Sequence, residues 1–242
     1  MTDGRIRIGT SGWSYKSWRG PFYPQALRQK DWLSHYAGRF PTAEINASFY
    51  RVPSPAAVAA WREATPPDFV FAWKASRFIT QAKKLRDPEA PLARTFAPMV
   101  ELGLKRGPTL FQLPPSLHLD LPRLENFLAR LPAGRHTVEF RHRSWYAEKT
   151  FTTLADHGVA LCLSDHADGP APWLATADFL YLRGHGPSGR YFGSYPDAAL
   201  DLWAEHIRGW SADSRDVYAY FDNDIEAAAP GDAARLCARL AL

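Results

Sequence analysis

Residues 109–141 read TLFQLPPSLHLDLPRLENFLARLPAGRHTVEFR. The run Thr109–Leu113 is short and apolar, as a buried strand is. Asp120 is a good N-cap ahead of a helical pattern over Leu121–Leu131. A second strand-like run, Thr137–Arg141, follows. Strand, helix and strand in this succession make a parallel crossover unit.

The alternation continues in both directions. Further strands are predicted at Ile6–Thr10, Ala43–Asn46, Phe69–Ala75, Val159–Ser164, Phe179–Arg183 and Val217–Phe221. Further helical patterns lie at Gln29–Arg39, Pro55–Ala64, Pro91–Lys105, Glu148–His157, Ala198–Trp210 and Gly231–Leu240. The segment Asp165–Asp178 is too irregular for more than a short helix. Eight strands alternating with helices imply parallel pairing. An open doubly wound sheet is one solution. However, eight such units in 242 residues have the dimensions of a TIM (β/α)8 barrel, eight parallel strands with outer helices. Gly9-Thr-Ser-Gly12, after the first strand, fits neither the dinucleotide GxGxxG nor the phosphate-binding loop pattern. No linker, repeat or low-complexity tract interrupts the chain, so residues 1–242 read as a single domain.

Hydrophobic residues make up 46% and charged residues 22%, which excludes a disordered, collagen-like or coiled-coil chain. No apolar run approaches the ~20 residues of a membrane span. Two cysteines, Cys162 and Cys237, cannot form a disulfide framework, so a reducing cytoplasm is the default. Cys162 is expected to pack against the outer helices. The net charge of +4 permits anionic ligands without demanding nucleic acid. Lys83, Lys84 and Arg86 form the densest basic cluster and read as a solvated loop.

In a barrel of this kind, strand C-termini build the active site, and side chains two apart on a strand share a face. Glu44 and Asn46 pair this way, as do Glu139 and Arg141. Tyr181, Arg183 and His185 share one face of the seventh strand and its exit. Tyr220 and Asp222 end the eighth, Lys74 the third, Gln112 the fourth and Asp165 the sixth. Such a ring could be a structural plug. Buried ion pairs are poor stabilisers beside apolar packing, which favours a functional reading. The loops add Trp13, Tyr15, Trp18, Phe49, Tyr50, Trp145 and Tyr146, as a lid or as a stacking platform. Trp32, Trp61, Trp203 and Trp210 lie in helical patterns and read as core.

Glu44 or Glu139 would act as general base or acid, with Asp165 as a further catalytic carboxylate. Lys74, Arg141 and Arg183 would hold an anionic group, and His185 would shuttle a proton. Glu44, beside neutral Asn46, is the candidate for a raised pKa. Glu139 is expected beside a cation, Lys74 or Arg183, and ionised. A divalent metal stays open, with Glu44, Glu139, Asp165, His185 or Asp222 as ligands and His166 and Asp168 nearby. The rival to a small-molecule enzyme is a nucleic-acid-binding barrel, with basic loops on phosphates and Trp13, Trp18 or Trp145 on bases.

Several stretches resemble the signature of the YecE-like family, the domain of unknown function 72. They are Gly9-Thr-Ser-Gly-Trp-Ser-Tyr15 with Phe22-Tyr-Pro24, Glu44-Ile-Asn-Ala-Ser-Phe-Tyr-Arg51, Lys74, Leu110-Phe-Gln-Leu-Pro-Pro115, Glu139-Phe-Arg-His142 with Ser144-Trp145, Ser164-Asp165, Tyr181-Leu-Arg-Gly-His-Gly186 and Tyr220-Phe-Asp-Asn223. The resemblance implies a TIM barrel with a pocket at its C-terminal face, but no settled reaction. At fold level it links the chain to barrels of the endonuclease IV and xylose isomerase type. The pocket would draw substrate-binding groups from Trp13, Tyr15, Asn46, Tyr50, Lys74, Gln112, Arg141, Trp145, Arg183, Tyr220, Asp222 and Asn223. Two positions depart from the pattern: Gln81 stands where a His is expected, and Asp222 where the family often has Asn.

Overall fold

The computed structural model describes residues 2–242. Its eight strands are β1 (Ile6–Thr10), β2 (Thr42–Ile45), β3 (Val70–Lys74), β4 (Arg106–Gln112), β5 (His136–Glu139), β6 (Ala160–Ser164), β7 (Phe179–Gly184) and β8 (Asp216–Phe221). All the ladders are parallel. They run in the order β1-β8-β7-β6-β5-β4-β3-β2. The helices are α1 (Trp32–Ala37), α2 (Ala47–Tyr50), α3 (Pro55–Glu63), α4 (Glu89–Phe96), α5 (Leu121–Leu128), α6 (Glu148–Asp156), α7 (Asp197–Ala212) and α8 (Ala228–Leu240). The predicted TIM barrel is present, with each strand within about three residues of its expected position, which is ordinary scatter for sequence-read boundaries.

The helices depart more. The pattern over 91–105 is not one helix. It is α4 followed by a 3-10 stretch, Ala97–Lys105, with Pro98 at its start and Gly103 at φ 54°. Proline lacks the N–H that would continue the α ladder, and a positive φ breaks the helical path. The pattern over 29–39 is likewise split, with a 3-10 turn at Gln29–Asp31 before α1. No helix forms between β6 and β7 among the described residues.

Strand alternation divides the apolar interior in two. One face packs against the helices and includes Ile8, Ile45, Phe71, Trp73, Phe111, Val138, Leu161, Leu182 and Phe221. The other lines the barrel: Val70, Ala72, Leu110, Ala160, Cys162, Phe179, Tyr181, Tyr218 and Tyr220 form a separate buried cluster. Cys162 therefore points into the barrel, contrary to expectation. The residue two beyond it on the same face is Ser164, not Asp165, and this sets the parity of β6.

The barrel closes between β1 and β2 without a full ladder. Ser11 and Glu44 form an isolated bridge, with the Gly12 amide donating to the Glu44 carbonyl over 2.8 Å. Lower down, a side chain spans the seam. The Thr10 amide donates to the Tyr36 hydroxyl (2.8 Å), which donates to the Thr42 carbonyl (3.0 Å). Gly9 leaves the room: a Cβ there would lie 2.1 Å from the Thr42 carbonyl oxygen. Tyr36→Phe leaves a buried amide and a buried carbonyl unpaired, so it should cost about 1–3 kcal/mol. Urea unfolding should show this as a lower midpoint at unchanged slope.

Candidate functional site

Above the apolar layer, the inward face of each strand turns polar. The centre is Arg183 on β7, fully buried. Its NH2 group donates to Glu44 (2.9 Å) and Asp222 (2.7 Å), its NH1 group to Glu139 (2.9 Å), and its Nε to Glu44 (3.1 Å). Ser11 and His185 take further contacts, at 3.1 and 3.0 Å. A guanidinium has five N–H groups, and all are committed here. Arg183 thus binds three carboxylates of the protein and presents no open fork to a ligand, which corrects its expected anion-holding role.

Glu44 is saturated too. It accepts from Ser11, from Tyr181 (2.6 Å) and from Arg183. Burial pushes its pKa up, but Arg183, Lys74 and the two hydroxyls outweigh burial, and the net direction is down. The expected raised pKa on Glu44 is therefore corrected: Asn46 is neutral, but Arg183 lies opposite. Glu139 is paired with Arg141 and Arg183, not with Lys74. These two cations overcome its burial and hold its pKa far below the usual carboxylate range.

His185 is not disposed to shuttle protons. Its Nε2 accepts from Arg141 (3.1 Å) and Arg183 (3.0 Å), while Nδ1 faces Asp165 Oδ1 at 3.2 Å. Burial and the two guanidiniums push its pKa well down, so the ring is neutral with its proton on Nδ1. Asp165 also accepts from the His185 amide (2.7 Å) and from the Tyr195 hydroxyl. Burial, opposed by these hydrogen bonds, raises Asp165 to about 6. Its folded pKa exceeds the unfolded ~3.9, so the charged form is disfavoured in the folded state. That contribution to stability is present below about pH 4 and is lost as pH rises through 6. Asp165→Asn should therefore match the wild type in acid and exceed it above pH 6, by on the order of 1–2 kcal/mol. Denaturation midpoints at pH 3.5 and 7.5 test this.

Lys74 differs from every other charge in the mouth. It is 6% exposed, and its Nζ makes no hydrogen bond and no ion pair within 4 Å among the described residues; it lies 4.6 Å from the Phe49 ring centre. Burial and the Arg183 charge lower its pKa to about 8. On neighbouring strands, Asn46 Oδ1 and Gln112 Oε1 are buried without partners. Arg141 bonds Glu139, Tyr191 and His185, leaving two of its five N–H groups free. Asp222 uses only Oδ2, toward Arg183, and burial raises its pKa.

The aromatics divide. Trp18 and Trp145 are fully buried, so neither can stack on a base. Their indole N–H groups bond the Asp224 and Leu117 carbonyls. Trp13 meets Trp61 edge to face and lines a cavity of about 570 Å³ that also reaches Asn46. Tyr15 bonds the Ser11 carbonyl, and Tyr50 is 66% exposed. Tyr220 bonds Thr42 within the barrel, below the mouth. Asn223 points away: its amide bonds Gly193 and Asp232, fastening α8 to a loop. Gln81 donates to the Gln112 backbone carbonyl (2.9 Å), steadying the end of β4. Trp32 and Trp203 are core as expected, and Trp61 and Trp210 are partly buried against it. As for a metal, guanidiniums fill the space between the carboxylates. No group of three or more His, Cys, Asp or Glu side chains is disposed to hold an ion among the described residues. Sequence reasoning missed Ser11, Tyr191 and Tyr195, which support Glu44, Arg141 and Asp165. The two tyrosines lie in an irregular loop, where no periodicity marks them.

An eight-stranded parallel barrel whose polar groups collect at the strand C-termini is a TIM-barrel protein with its candidate site where that fold places one. The chain belongs to the family described as protein of unknown function DUF72, which it matches over residues 7–242. It is 27% identical to the UPF0759 protein YunF of Bacillus subtilis (strain 168), over 95% of this chain and 91% of that protein. It is 31% identical to the UPF0759 protein YecE of Escherichia coli (strain K12), over 59% of this chain and 51% of that protein. The crystal structure of a DUF72 family protein (TM1631) from Thermotoga maritima superposes with a TM-score of 0.88 at 28% identity, covering 98% of this chain and all of that one. A DUF72 family protein from Enterococcus faecalis, at 20% identity and a TM-score of 0.84, shares the fold; the match covers 98% of this chain and 96% of that one. No helix among the described residues is long and apolar enough to cross a membrane.

Proposed function

We propose that the barrel mouth is an enzyme active site for a small anionic substrate, bearing a phosphate or a carboxylate. The observation that carries this is the ammonium of Lys74. An enclosed charge is costly unless it is paired. Lys105, the other buried lysine, meets that demand, bonding the Arg62 carbonyl (2.6 Å), the Thr65 carbonyl (2.7 Å) and the Thr65 hydroxyl (3.0 Å). Lys74 leaves the demand open among the described residues, and the same end of the barrel holds Arg141, with two free N–H groups, and two unpartnered amide oxygens at the ends of β2 and β4. An anion would satisfy the cations, and hydroxyl groups of the same ligand would satisfy Asn46 and Gln112. Asp222, held by Arg183 through Oδ2 and with Oδ1 free of hydrogen bonds, is the carboxyl group that relays a proton.

A thermal-shift screen of phosphate- and carboxylate-bearing metabolites tests this. A true ligand at about 100 times its dissociation constant adds about 2.7 kcal/mol of stability. The gain should vanish in Lys74→Met. A screen without hits, or equal gains in the variant, would overturn the reading.

A second reading has its own observation. A groove of about 780 Å³ beside the mouth is lined by Tyr50, Arg51, Phe78, Lys83 and Arg94, with Asp87 as its acid. Exposed aromatic rings among cations suit a nucleic-acid strand. Steeply salt-dependent binding of single-stranded DNA, lost in the Lys83/Lys84/Arg86 triple alanine variant, would favour it.

A further inference from the structure

We infer that Lys74 is a nucleophile: its side-chain amine condenses with the carbonyl carbon of a small anionic aldehyde or keto acid held in the mouth. This deepens the reading above and rests on it. The geometry supplies three requirements. First, the amine is positioned, because its stem leaves the end of β3 toward the barrel axis and its head rests against Phe49. Secondly, it is not tied down. Three carboxylates of the mouth, Glu44, Glu139 and Asp222, are drawn to Arg183 instead, and the fourth, Asp165, faces His185 and Tyr195. Lys74 thus sits in the field of a guanidinium with no counter-ion in contact among the described residues, one of the settings that releases an ammonium proton. Thirdly, the charge cluster around Arg183 includes a carboxyl group able to relay a proton, since Asp222 is held there through Oδ2 alone and keeps Oδ1 free of hydrogen bonds. The lowered pKa of Lys74 and the raised pKa of Asp222 agree with these roles.

The step balances. The Lys74 ammonium gives one proton to the Asp222 carboxylate. The neutral amine then adds its lone pair to the carbonyl carbon, and the C=O π electrons move to oxygen, which takes that proton from Asp222. Nitrogen passes its extra proton back to the Asp222 carboxylate. The resulting carbinolamine loses its hydroxyl as water, with Asp222 again the proton donor, and a protonated imine forms on Nζ. One C=N bond replaces one C=O bond, one water leaves, and nothing is oxidised or reduced.

The test is reductive trapping of the wild-type protein with glyoxylate and cyanoborohydride at pH 7, followed by peptide mass mapping. A pKa of about 8 leaves far more free amine at pH 7 than the ordinary ~10.4, by a factor on the order of a hundred. Lys74 should therefore be labelled at least about tenfold faster than the exposed Lys16, Lys30 and Lys149, even after a discount for its burial. Excess inorganic phosphate should slow labelling at Lys74 and leave Lys30 unaffected. Lys74 labelled no faster than Lys30 overturns the inference. Two further measurements separate it from the anion-site reading. If phosphate stabilises the wild type and not Lys74→Met, yet no adduct forms at Lys74, the nucleophile falls and the anion site stands. If neither effect is seen, both fall. Lys74→Arg should keep phosphate binding and yield no adduct at position 74.

Discussion

Arg183→Met should cost about 3–5 kcal/mol, the largest effect of any single substitution in the mouth. The guanidinium is fully buried, and it joins Glu44, Glu139 and Asp222 in one cluster. Its removal leaves three carboxylates close together with only Arg141 and Lys74 as cations. The pH dependence should change sign with it. In the wild type, the depressed pKa values of Glu44 and Glu139 contribute stability that is present above the unfolded carboxylate range and lost as pH falls through their folded values. In Arg183→Met, burial and mutual repulsion raise the same carboxyls instead. The variant's deficit should therefore be greatest near pH 7 and shrink toward pH 5. Urea titrations at the two pH values measure this. A loss under about 1 kcal/mol at pH 7 would mean that the network is far less coupled than its distances indicate.

Lys74→Met should do the opposite and raise stability. The drop in pKa to about 8 corresponds to roughly 3 kcal/mol against the charged form in the folded state. Met keeps the length and apolar bulk of the stem without the charge. Part of the gain is offset, because the contact of the ammonium with the Phe49 ring is lost. A net rise of about 1–2 kcal/mol at pH 7 is expected. The sign follows from linkage: below pH 8 the folded state carries the full penalty, and between 8 and about 10.4 it is relieved as Lys74 deprotonates. The variant's advantage should therefore close above pH 10. Stability gained by deleting a residue is expected of a functional site that a ligand completes.

The fold was legible because its signal is local and repeated. The apolar runs at Phe179–Arg183 and Val217–Phe221 needed only side-chain type and length, and β7 and β8 begin at or within a residue of them. The positions of the mouth residues were legible too, since parity alone puts Glu44, Glu139 and Arg183 on one face. Their roles were not. Which cation meets which carboxylate depends on strand stagger around the barrel, and this brings Arg183 to Glu44, 139 residues away in the sequence. Composition counts three cations and four carboxylates. It does not reveal that, among the described residues, Arg183 takes three carboxylate partners and Lys74 none. The loop aromatics misled for a related reason: Trp18 and Trp145 occupy turns, yet those turns fold back over the barrel and bury them.

The central claim is that Lys74 presents an enclosed, unpaired ammonium to an anion. The most direct measurement is an NMR titration of the lysine side chains, labelled with 13C at Cε, with and without inorganic phosphate. One resonance, absent from Lys74→Met, should titrate near pH 8 and move to higher pH when phosphate is added. If all lysines titrate in the ordinary range near ~10.4 and none responds to phosphate, the charge of Lys74 is balanced within the protein and the mouth is a structural plug.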